Sequence, residues 1–148
     1  MLDRNGDGLI NDGNELFGNF HQLPDGTMPK NGFDALLYYD VGNRDHKINS
    51  EDAIYGDLRV WFDRNHNGIS EASELVTLDA AGVDQIYLSY QNTEEDIDFW
   101  GNRIQQKSVV KLKSGALRPI VDAYFADGNP TDPGVPKMSA LPDENSQP

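Results

Sequence analysis

Residues 3–8 and 63–68 spell Asp-Arg-Asn-Gly-Asp-Gly and Asp-Arg-Asn-His-Asn-Gly, and residues 40–46 carry a degraded copy of the same pattern. Nothing else in the sequence limits the fold so sharply. Glycine at the last position permits a positive φ that a Cβ would strain. The carboxylates repel one another unless a cation stands among them. A single string of this kind is often only a solvated turn, since Asp, Asn and Gly are also common turn formers. Three within 74 residues, each followed by an acid at a similar distance, carry more weight.

The spacing is that of a calcium loop of EF-hand type. Such a loop binds through positions 1, 3 and 5, a backbone carbonyl at 7, often a water through 9 and a bidentate acid at 12, with glycine at 6. The third loop is the cleanest match: Asp63, Asn65 and Asn67, Gly68 at the bend, the Ile69 carbonyl, Glu71 and Glu74. Its branched residue, Ile69, sits at 7 where such loops usually place one at 8, which leaves its pairing open. The first loop offers Asp3, Asn5, Asp7, the Leu9 carbonyl, Asn11 and a closing Glu15 one residue late, with Asp12 as the alternative. The second offers Asn43, Asp45, the Lys47 carbonyl, Asn49 and Asp52. Its position 1 falls either on Val41, which has no side-chain oxygen, or on Asp40 if one extra residue is accommodated, and His46 replaces glycine at 6. This loop is expected to be the weakest.

Net charge is −13, which disfavours nucleic acid and anionic membranes and favours cations as partners. The absence of cysteine removes disulfides and thiolate metal sites. No apolar run approaches the roughly 20 residues of a membrane helix. His21, His46 and His66 fall in polar stretches without the spacing of a zinc helix, and surface positions are expected for all three. No nucleophile–base pattern or phosphate loop occurs, so no enzyme activity is expected.

Residues 127–148 hold five of the eight prolines and no aromatic residue, and read as a disordered acidic tail behind a folded domain of residues 1–126. Within that domain the patterning predicts an α+β fold: short helices and calcium loops in the N-terminal half, a small antiparallel sheet or hairpin in the C-terminal half. Asn31 is placed to cap a helix over 32–39, and Ser50 a second carrying Ile54, Leu58, Trp61 and Phe62 on one face. Trp61, Phe62, Tyr38 and Tyr39 are core candidates. A helical turn over 77–81 closes at Gly82, and 85–90 and 103–113 read as strands.

Beyond the loops, the stretches Glu15-Leu16-Phe17-Gly18, Asn31-Gly32-Phe33-Asp34-Ala35-Leu36, Leu58-Arg59-Val60-Trp61 and Gly68-Ile69-Ser70 carry a resemblance. The chain resembles the calcium-dependent self-processing module of FrpC-type RTX proteins and the wider set of EF-hand-like modules in large secreted bacterial proteins. The resemblance implies Ca²⁺ as the bound ion, an exported or cell-surface setting, and the rest of a larger secreted chain or another protein as partner. Self-processing members cut an Asp-Pro bond just ahead of the module. The Asp-Pro pair of this sequence, Asp132-Pro133, lies in the tail instead, so processing is not expected of it. A calcium-stabilised structural module is the leading expectation, ahead of a dockerin-like adhesion or docking module and of the self-processing enzyme.

Overall fold

The computed structural model describes residues 1–98 and 101–125. The expected tail and the Asp132-Pro133 bond lie outside the described residues.

The fold is mostly β, which corrects the expected α+β class. The α-helix α1, Gly32–Leu37, has six residues, and two 3-10 turns occupy Gly13–Glu15 and Ala53–Gly56. Seven strands follow in chain order: β1 Lys47–Ile48, β2 Arg59–Trp61, β3 Leu75–Thr77, β4 Val83–Tyr87, β5 Gln91–Ile97, β6 Arg103–Leu112 and β7 Leu117–Tyr124. β6 is the spine of a five-stranded antiparallel sheet. It pairs with β7 along one edge, and with β4 and then β5 along the other. β1 adds to β4 through Lys47↔Tyr87 and Ile48↔Ile86. The Ser108 hydroxyl spans the break between β4 and β5 by hydrogen bonding to the carbonyls of Tyr87 and Ser89.

The second expected helix is where the class went astray. Its stripe runs through Gly56, which destabilises a helix interior by about 1 kcal/mol relative to alanine, and into Val60 and Trp61, which suit a strand. The chain resolves this by making one 3-10 turn and then β2, which pairs with β3 from the far side of the third loop. Strands, not helices, therefore flank that loop. α1 keeps its expected cap, the Asn31 side chain accepting from the Asp34 amide, but stops at Leu37. The turn after β3 forms as read, with Gly82 at φ 74°.

A core of Leu36, Ile48, Tyr55, Leu58, Leu78, Val83, Ile86 and Leu88 joins α1, the turns and the sheet. Trp61 and Tyr39 are half-buried, and Phe62 and Tyr38 are exposed, so the core candidates were misplaced. His21 is a further correction: it is fully buried, stacked on Phe17 at 4.6 Å, with Nε2 3.1 Å from the Tyr39 hydroxyl. Burial, and then the nearby Arg4 charge, lower its pKa.

A histidine whose folded pKa is lowered contributes stability above its unfolded value, 6.5, and loses it as pH falls through the folded value. Melting temperature is therefore expected to fall between about pH 7.5 and about pH 5.5, and His21→Phe should flatten that slope. Thermal melts across this range check it.

Candidate metal centre

The three loops share one backbone figure. Positive φ recurs at positions 4 and 6 of each: Gly6 (76°) and Gly8 (82°), Arg44 (53°) and His46 (62°), His66 (58°) and Gly68 (70°). Arg44, His46 and His66 are the only non-glycine residues with positive φ among the described residues. That conformation costs a residue with a Cβ on the order of 1–3 kcal/mol and persists only where its surroundings enforce it. The second loop has lost both glycines and keeps the figure.

Side chains enforce it in the same way each time. The position-1 carboxylate accepts the amide of position 6: Asp3 from Gly8 at 2.8 Å, Asp40 from His46 at 2.8 Å, Asp63 from Gly68 at 3.0 Å. Asp40, not Val41, is thus the first residue of the second loop, and the extra residue is taken up between Asp40 and Asn43. Positions 3 and 5 each accept from the amide two residues on. Asn5 and Asp7 accept from Asp7 and Leu9, Asn43 and Asp45 from Asp45 and Lys47, Asn65 and Asn67 from Asn67 and Ile69.

The closing acids Glu15 and Glu74 are buried although the residue before each, Asn14 and Ser73, is exposed. Glu15 is 2% exposed, and its carboxylate accepts the amides of Arg4, Asn11 and Asp12. Glu74 is 3% exposed and accepts the Trp61 indole N–H at 3.1 Å and the Arg64 amide at 2.9 Å. The indole bond, ahead of the backbone amides, holds the Glu74 carboxyl below its ordinary value. Glu15 and Glu74 thus both receive the amide of position 2, so the late Glu15 stands in the first loop where Glu74 stands in the third. Asp12 instead caps the turn, accepting from the Asn14 amide. Asp52 accepts from the Asn49 amide at 3.0 Å.

Position 9 reaches across the loop. Asn11 donates to Asp7 at 2.9 Å, and Glu71 accepts from Asn65 at 3.1 Å and from Asn67 at 3.5 Å. In the second loop Asn49 turns away to accept from the Glu51 amide, and the Lys47 ammonium lies 3.3 Å from Asp45.

Whether these residues suit a cation is tested by what they leave unpaired. Asp40 and Asp52 are 3% and 4% exposed, and Oδ1 of each is buried without a hydrogen-bond partner. A buried carboxylate oxygen with no donor is costly, and a cation is a partner that would relieve it. Among the described residues no three His, Asp or Glu side chains converge as a metal-holding group. Any ion here would draw on asparagine and backbone carbonyl oxygens as well, which is how loops of this type reach their coordination number.

The sequence reading missed Ser70. It is 4% exposed, and its hydroxyl accepts from the Ile10 amide and donates to the Ile10 carbonyl, both at 2.7 Å. The available signal was the displaced Ile69, which leaves a polar residue at position 8.

Among the described residues no helix is long and apolar enough to cross a membrane. Comparison with known proteins gives a relative and a family. The chain is 41% identical over 129 residues to the iron-regulated protein FrpA of Neisseria meningitidis serogroup C, covering 87% of this chain and 11% of that protein. The chain thus spans about a tenth of that relative's length. The SPM domain model matches residues 1–126, which takes in all three loops and both sheets up to β7, and the chain belongs to the SPM domain family.

Proposed function

We propose that this chain is a calcium-stabilised module of a larger exported bacterial protein of the RTX kind, with its ions held in the three loops. The observation that carries the reading is the repeated loop figure: left-handed positions 4 and 6, and a position-1 carboxylate on the position-6 amide, in three loops of differing sequence. The two unpaired buried oxygens of Asp40 and Asp52 add to it. The ligand set comprises Asp3, Asn5, Asp7, Asn11 and Glu15; Asp40, Asn43, Asp45, Asn49 and Asp52; and Asp63, Asn65, Asn67, Glu71 and Glu74. The carbonyls of Leu9, Lys47 and Ile69 complete it. The FrpA relative supports the RTX and exported setting. Asparagine-rich ligand sets, low in charge, suit weak sites on the order of 10⁻⁴ to 10⁻³ M, which fill where calcium is abundant, as outside cells.

Isothermal titration calorimetry on chelator-treated protein tests it. The expected result is saturable calcium uptake in the submillimolar to millimolar range, with magnesium binding more weakly. Absence of calcium uptake defeats the reading.

The SPM family match supports a second reading, calcium-gated processing of an Asp-Pro bond ahead of the module in a longer chain. Such chemistry requires the aspartate to be held against its own carbonyl. For the Asp132-Pro133 bond of this chain we expect no cleavage in millimolar calcium. The intact mass after incubation checks it, and a fragment ending at Asp132 would establish the enzyme reading.

A further inference from the structure

We propose that the first and third loops form one cooperative ion-binding pair, latched by the Ser70 hydroxyl, while the second loop loads independently. This deepens, and rests on, the reading of the loops as calcium sites. Ile10 and Ser70 both stand at position 8, and they meet although 60 residues separate them. The latch is a side chain doing the work of a backbone pair: one buried hydroxyl takes up both the N–H and the C=O of Ile10.

The stems of the two loops repeat the connection. The Leu2 amide donates to the Glu15 carbonyl at 2.9 Å, and the Phe62 amide to the Glu74 carbonyl at 3.0 Å. In each loop, therefore, the residue before the first ligand is fastened to the closing acid. The two stems are then joined by the Leu2↔Leu58 bridge and by the Arg59 amide on the Met1 carbonyl at 2.9 Å. An ion that orders the first loop fixes Ile10, and through it Ser70, which stands between the Ile69 carbonyl and Glu71. The second ion then meets a loop already ordered and loses less conformational freedom on binding. The second loop has a different partner: its position 8, Ile48, is paired to Ile86 in the large sheet.

Calcium titration of the full chain after chelation, by calorimetry and by competition with a chromophoric chelator, tests this. Wild type is expected to fill the first and third loops together, with a Hill coefficient above unity, and the second loop in a separate step. Ser70→Ala should keep the number of ions bound, bring the coefficient to unity and weaken the second step by roughly 5–10-fold. Ser70→Thr, which retains the hydroxyl, should restore cooperativity. Glu15→Gln should weaken binding at the third loop as well as the first, whereas Asp52→Asn should leave the pair cooperative. Should Ser70→Ala fail to fold, the Glu15→Gln cross-effect decides alone. Calcium uptake with a coefficient of unity in wild type, or unchanged cooperativity in Ser70→Ala, overturns the pair and leaves the calcium reading standing. No calcium uptake overturns both.

Discussion

Removing calcium with a chelator is expected to lower the melting temperature of this chain by about 15–25 °C. A cation that binds only the folded state, at about a hundred times its dissociation constant, stabilises by about 2.7 kcal/mol per site. Two filled sites contribute roughly 5 kcal/mol, and a domain of this size shifts by about 3–5 °C per kcal/mol. The repulsion among loop acids in a chain of net charge −13 acts in the same direction. Differential scanning calorimetry in about 10 mM calcium, a hundred times a dissociation constant of about 10⁻⁴ M, and in chelator measures the shift. Magnesium, which demands octahedral geometry and keeps its waters, should recover only part of it. Identical melts in calcium and in chelator would mean that the loops hold their figure without an ion, by the side-chain to backbone bonds alone.

Those bonds explain which parts of the molecule could be read from the sequence. A loop whose own side chains dictate its backbone is locally encoded, so the positions from Asp3 to Asp7 and from Asp63 to Asn67 could be numbered without a structure. Of the C-terminal strands, β4 and β6 were legible, β4 for the same local reason, alternation: Ile86 and Leu88 turn to the core while Asp84 and Lys111 pair at the surface. What flanks the loops is not local. Val60 and Trp61 become a strand because Val76 and Leu75 lie opposite them, a partnership across the whole third loop. β5 carries polar and acidic residues that suit a solvated loop, and it is a strand because β6 supplies its hydrogen bonds. His21 sits in a polar stretch yet is enclosed by Phe17 and Tyr39, which come from either side of it in sequence. Asp40 illustrates the boundary between the two cases. Counting alone leaves it tied with Val41, and only the His46 amide on its carboxylate separates them.

Glu15 is expected to be the residue whose loss costs most. Its two carboxylate oxygens serve three backbone donors: one takes the Arg4 amide, the other the amides of Asn11 and Asp12. Glu15→Ala strands all three, and each partly buried unsatisfied donor costs on the order of 1 kcal/mol or more, so a loss of about 2–4 kcal/mol is expected even in chelator. Glu15→Gln is subtler. A carboxamide has one acceptor oxygen, so its NH₂ must face an amide donor, and a cost of about 1–2 kcal/mol is expected without calcium. With calcium the same substitution also removes a charge and the bidentate closure of the first loop, for a further loss of affinity on the order of 100-fold. A purely structural Glu15 would lower the melting temperature equally in calcium and in chelator. A Glu15 that also closes an ion site must lower it more in calcium, and the difference between the two losses measures the ligand role. Asp12→Asn supplies the contrast. Asp12 is exposed and caps its turn through Oδ1, which asparagine retains, so calcium affinity should be nearly unchanged. If Asp12→Asn instead weakens calcium binding more than Glu15→Gln does, the first loop closes on Asp12, and the correspondence of Glu15 with Glu74 fails.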